Sequence, residues 1–142
     1  MSERNIELIR RYIAAFNARD VEAAIALCDP SIEYHSVFAG AVSGAVYHGH
    51  DGMRTFFGDL GEAWGDRLRV QPEAYFDLGE CTLTFFVLRG RGQQSGAEVA
   101  MPGTGVSRWR DGLQTYVHVY TDRADALRDL GVSEEELERI AP

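Results

Sequence analysis

Residues 97–131, AEVAMPGTGVSRWRDGLQTYVHVYTDRADALRDLG, decide the fold. The alternating stretch Ala97–Trp109 runs into Arg110-Asp111-Gly112, where Asp-Gly is a strong hairpin signal, and Leu113–Thr121 follows as a second strand. Asp122 then caps a helix that ends at Gly131. Pro102, Gly103 and Gly105 would interrupt a flat central strand, which predicts a bulge or bend there and a curved sheet. A curved sheet that hands over to a closing helix has a concave face, and a concave face is the place for a pocket.

Working upstream, Leu68–Phe76 and Cys81–Leu88 also alternate, so four consecutive hairpin-linked strands form an antiparallel sheet. Ser2 caps a first helix striped by Ile6, Ile9, Tyr12, Ile13 and Phe16. Asp20 caps a second, whose stripe Val21, Ala24, Ile25 and Cys28 runs until Asp29-Pro30 stops it. Ile32–Ser36 reads as a short strand, residues 39–49 as a glycine-rich loop holding one small strand, and residues 51–64 as a third helix with Met53, Phe56, Phe57, Leu60 and Trp64 inward. Downstream, Ser133-Glu134-Glu135-Glu136 is a capping box opening a last short helix. Helices segregated from a run of strands predict an α+β domain, residues 1–142, with its helices on one side of the sheet.

Composition narrows the partners. The 142 residues carry 22 acids and 14 bases, a formal net charge of −8, which opposes a phosphate backbone and predicts no nucleic-acid partner. Every basic residue is arginine; Arg89-Gly90-Arg91-Gly92 is too short for an RNA-binding tract and reads as a hairpin loop. No apolar run approaches the roughly 20 residues of a membrane helix, and the N-terminus lacks a signal-peptide pattern, so a cytoplasmic protein with no membrane partner is expected. Cys28 and Cys81 sit in apolar patterns and read as buried thiols. No His, Asp and Glu set has metal-ligand spacing, and no phosphate loop or nucleophile elbow is present, so no metal or cofactor is expected.

The chain resembles the nuclear-transport-factor-2-like (NTF2-like) superfamily, and within it the SnoaL-like group that includes polyketide cyclases. The resemblance rests on residues 11–20 (RYIAAFNARD), Gly49-His50-Asp51-Gly52-Met53-Arg54, Arg89-Gly90-Arg91-Gly92 with Ser95-Gly96, and Tyr120-Thr121-Asp122-Arg123-Ala124. It implies a cone-shaped curved antiparallel sheet wrapped around the N-terminal helices, a homodimer, and a pocket for a small apolar molecule. The superfamily hosts isomerases, cyclases, dehydratases and non-catalytic binders on one fold, so the reaction has to be argued from the pocket. The first helix is also similar to that of ketosteroid isomerases, where the residue matching Tyr12 donates to a developing oxyanion. Their catalytic carboxylate matches Ser36, their second donor Gly105 and their supporting tyrosine Phe57, while the acid of polyketide cyclases matches Val119.

Two catalytic candidates follow: Tyr12 as the donor that polarises oxygen, and His35, beside the lost carboxylate at Ser36, as the group that moves protons. Tyr34, Phe57, Trp64, Trp109 and Val119 are the candidate ligand-binding lining. Strand alternation places Val117 and Val119 inward and Tyr116, His118 and Tyr120 on an outer face where subunits would meet. Two functions compete: a cyclase-, isomerase- or dehydratase-like enzyme using acid–base chemistry on an apolar carbonyl or phenolic substrate, and a non-catalytic ligand-binding or dimeric scaffold protein.

Overall fold

In the computed structural model, which describes residues 2–36, 45–65, 67–91 and 96–142, the chain runs α1 (Ser2–Ala18), α2 (Val21–Ile25), β1 (Cys28–Ser36), β2 (Ala45–His48), α3 (Gly49–Trp64), β3 (Arg69–Asp77), β4 (Cys81–Arg91), β5 (Glu98–Arg110), β6 (Leu113–Tyr120), α4 (Arg123–Leu130) and a 3-10 turn at Glu134–Glu136. The six strands form one curved sheet in the order β2-β1-β6-β5-β4-β3. Every pairing is antiparallel except β1 with β6, which is parallel, so the sheet is mixed.

The stripe of α1 is buried against the inner face of the sheet, with Ile6, Ile9, Tyr12, Ile13 and Phe16 in one core with Leu68, Tyr75, Phe86, Val117 and Val119. Arg19 ends the helix in a left-handed turn at φ 57° and donates from its guanidinium to the carbonyls of Phe16 at 3.1 Å and Leu68 at 3.0 Å. Asn17 exchanges two hydrogen bonds with the Val70 backbone, at 2.8 and 2.9 Å, and so fixes the end of α1 to β3. In the same core α3 closes over β1 and β2 with Met53, Phe56, Phe57 and Leu60 buried.

Several expectations are corrected. The apolar stripe ending at Cys28 is not one helix: α2 stops at Ile25, and Asp29-Pro30 lies inside β1, where the register with β6 shifts between Cys28 and Glu33. No bulge occurs at 102–105, because the β4–β5 ladder is unbroken from Cys81↔Arg108 to Arg91↔Glu98. Pro102 is tolerated because the β5–β6 pairing starts only at Thr104, which leaves one side of Pro102 as a sheet edge. Register shifts between Pro72 and Ala74 and between Arg108 and Trp109 break the flat ladders instead. Arg89-Gly90-Arg91 belongs to β4 and not to a loop; Gly92, residues 93–94, Ser95 and the part of the expected 39–49 loop before residue 45 lie outside the described residues.

The helices also do not share one side. Helix α4 packs on the outer face, where Ala126, Leu127 and Leu130 meet Ala74, Phe76, Leu83, Phe85 and Val106 in a second core. Its ends follow the sequence: Asp122 accepts from the Ala124 N–H at 2.9 Å, and Gly131 terminates it at φ 71°, ψ 30°. The capping box at Ser133 does not form, since Ser133 Oγ donates to the Glu136 carboxylate at 2.8 Å and only a 3-10 turn follows.

Candidate functional site

Two small cavities lie between α1 and the inner face of the sheet, about 60 and 40 Å³ in volume. Phe16, Tyr34, Val70, Phe86 and Val119 line both and form the wall between them. The larger adds Tyr12, Thr84, Gly105, Ser107 and Gln114; the smaller adds Ser36, Phe56 and Leu88. Among the described lining residues there is no carboxylate and no imidazole.

Its polar centre is a pair of phenols. Tyr12 Oη donates to Tyr34 Oη at 3.4 Å, with both side chains buried. Burial, and after it the neighbouring Tyr34 and Cys28, pushes the Tyr12 hydroxyl well above the usual phenol range; burial also raises Tyr34. Both are therefore neutral donors at physiological pH. Deeper in the cone, Ser107 Oγ donates to Gln114 Oε1 at 3.0 Å and Gln114 Nε2 donates to Cys28 Sγ at 3.8 Å. Burial pushes the Cys28 thiol up to about 12, so it is an uncharged acceptor and not a nucleophile.

Of the residues expected at the site, Tyr12, Tyr34 and Val119 line the cavities. Phe57 is buried 5.7 Å from the Phe16 ring, but its neighbour Phe56 provides the lining. Trp64 packs by Leu68 and Gly90, and Trp109 donates from Nε1 to Thr82 Oγ1 at 3.0 Å; neither reaches a cavity wall. His35 is not brought to Tyr12. Alternation along β1 turns Ile32, Tyr34 and Ser36 inward, and His35 faces out with Glu33, to which its Nε2 is hydrogen-bonded. There His35 stacks on His118 at 5.2 Å, and His118 stacks on Tyr120 at 4.0 Å. Desolvation, and then His35, holds the His118 imidazole below its ordinary value.

Gln114 escapes a reading by alternation, which would place it outward with Tyr116. An extra residue in β6, Thr115, lies between the Trp109↔Gln114 and Arg108↔Tyr116 pairs and flips the phase. Phe86 also gave no signal of its own, because its position depends on Gly103 across the ladder: a Cβ there would stand 2.4 Å from the Phe86 ring.

The cavity thus offers hydrogen bonds to an oxygen within an apolar envelope. Solved structures share this architecture. An NTF2-like protein of unknown function from Burkholderia pseudomallei is 21% identical, with a TM-score of 0.74 over 88% of this chain and 95% of its own. TerC, crystallised with polyporic acid, is 23% identical with a TM-score of 0.74 over 89% of this chain and 97% of its own. A protein with a ketosteroid isomerase-like fold from Catenulispora acidiphila, in complex with trimethylamine, is 16% identical with a TM-score of 0.71 over 91% and 95%. At such identities the likeness shows the fold alone. No curated protein matches the chain. Residues 9–117 match the SnoaL-like domain, and the chain belongs to that family.

Proposed function

We propose that residues 1–142 act as one domain whose inner face binds a small, largely apolar molecule through a carbonyl or phenol oxygen, with Tyr12 and Tyr34 as its hydrogen-bond partners. The observation that carries this reading is the buried phenol pair at 3.4 Å inside an otherwise mostly apolar cavity. Binding of small molecules by two fold relatives, polyporic acid by TerC and trimethylamine by the Catenulispora protein, supports the use of the cone as a pocket. Each cavity is smaller than the roughly 150 Å³ that accepts benzene, so a ring-sized ligand has to displace the wall that both share.

A pair of neutral phenols in which Tyr12 donates to Tyr34 and Tyr34 donates onward to a ligand oxygen polarises a carbonyl and stabilises the enolate that isomerisation, dehydration or aldol-type cyclisation passes through. With His35 facing out, the proton acceptor is water or a group of the substrate itself. The second reading, a binder without catalysis, is favoured by the lack of carboxylate or imidazole in the described lining.

Titration by NMR with phenol, cyclohexanone and benzene tests both. Tyr12→Phe with Tyr34→Phe is expected to weaken phenol and cyclohexanone about 3- to 10-fold and to leave benzene unchanged, the worth of one or two neutral hydrogen bonds. Equal affinities before and after substitution would remove the phenol pair from the site. Deuterium exchange at the α-carbons of cyclohexanone, faster than in buffer and lost in Tyr12→Phe, selects the enzyme; no acceleration selects the binder.

A homodimer extends the proposal. The outer strip Tyr116, His118 and His35 is half-buried by its own stacking and flanked by Tyr120, whose hydroxyl donates to Asp129 on α4 at 3.0 Å. Light scattering at micromolar concentration is expected to give twice the chain mass of 15.8 kDa; a mass of one chain would end this part.

A further inference from the structure

The inner face of the sheet carries a second polar group, three strands away from the phenol pair. Tyr34 stands on β1 and Thr84 on β4, with β6 and β5 between them. Alternation along β4 turns Leu83 and Phe85 to the outer core and Thr84 and Phe86 inward, so Thr84 lines the larger cavity. Thr84 is only 3% exposed, yet its hydroxyl makes no hydrogen bond among the described residues, where every fully enclosed side-chain oxygen or nitrogen is paired. The hydroxyl is therefore not enclosed, and the exposure it keeps is to the cavity. Gly105, its partner across the β4–β5 ladder, leaves it uncovered: a Cβ there would touch only the Phe86 ring, at 3.8 Å.

The neighbours define what can pair with this hydroxyl. Ser107 and Gln114 line the same cavity. Ser107 Oγ gives its proton to Gln114 Oε1 at 3.0 Å, and Gln114 Nε2 donates to Cys28 Sγ at 3.8 Å. Ser107 Oγ thus has lone pairs to offer, and the Thr84 hydroxyl can both donate and accept. Such a wall matches a group that brings a hydrogen of its own, which a hydroxyl does and a ketone does not. A carboxylate does not fit, because no cationic side chain among the described lining residues offsets its desolvation.

We propose that Thr84 is a specificity-determining residue of the inner cavity and takes a hydroxyl group of the ligand. The ligand is then a small neutral molecule with two oxygen functions, one for the phenol pair and a hydroxyl for Thr84 and Ser107: a diphenol or a hydroxy ketone. This rests on the reading of the cavity as a pocket for an oxygen-bearing molecule, and it narrows that class. A buried hydroxyl without a partner costs stability, so the threonine weakens the bare fold and serves the complex.

Titration by NMR with catechol, resorcinol and hydroquinone, each against phenol, tests it. The three isomers place the second hydroxyl at three distances from the first. All four probes are ring-sized and displace the shared wall alike, so the ratio of affinities isolates the second hydroxyl. At least one isomer is expected to bind about 3- to 10-fold more tightly than phenol, the worth of one or two neutral hydrogen bonds, and Thr84→Val is expected to bring that ratio to about one. Thr55→Val, at an exposed threonine of α3, is the control and should keep the ratio. Thr84→Val should also keep or raise the ligand-free melting temperature, since it gives up no hydrogen bond. A ratio near one for all three isomers, a gain that survives Thr84→Val, or a lower ligand-free melting temperature in Thr84→Val overturns the proposal, the last by showing that the hydroxyl serves the fold. The phenol pair is judged separately, by the response of phenol itself to Tyr12→Phe with Tyr34→Phe.

Discussion

Phe86→Ala is expected to destabilise the protein by about 3–5 kcal/mol and, in the same step, to join the two inner cavities. The side chain is 7% exposed and belongs to the wall that both cavities share, so its removal costs apolar burial and leaves a space that α1 and the sheet cannot fill by sliding. Urea unfolding measures the first effect. Benzene measures the second: the enlarged cavity should bind it more tightly and show a larger binding-dependent rise in melting temperature than the parent does. A variant that loses stability without gaining benzene affinity would mean that the core collapses into the gap and that Phe86 is not the partition.

Gly103→Ala is expected to cost about 1–3 kcal/mol by overpacking, an effect that no torsional requirement of Gly103 produces, since its φ is not among the positive ones. The cost comes from one neighbour. The added methyl would stand 2.4 Å from the Phe86 ring, so the ring must leave its position across β5. In the Phe86→Ala background the same substitution should be nearly free, and the double-mutant cycle should return a coupling close to the whole single-mutant cost. Additive effects in urea unfolding would place the strain elsewhere.

How much of this was legible in the chain depends on the range of each interaction. The α1 stripe, the hairpin through Asp111-Gly112 and the Asp122-to-Gly131 helix are written locally, and the structure forms them with small shifts of boundary. The parallel pairing of β1 with β6, the unbulged Pro102 and the outer position of α4 depend on which distant segment lies alongside, and no local pattern records that. Helical spacing accounts for the inward position of Tyr12 and strand parity for those of Tyr34 and Val119, which line the cavities. Parity also shows why His35 could not join them: with Tyr34 inward, the next residue of the strand has to face out. Gln114 stayed hidden because a single extra residue, Thr115, reverses the phase of β6 just where the cavity closes.

The parallel pairing between β1 and β6 also has a kinetic consequence. Strands β3 to β6 can assemble by successive hairpins, each closing a short loop, whereas β1 must find β6 across nearly the whole intervening chain. That long closure belongs to the slow part of folding. Tyr12 and Tyr34 come from one side of it and Gln114, Val117 and Val119 from the other, so during synthesis on the ribosome the pocket cannot exist before the last strand has emerged, and no N-terminal fragment will carry it.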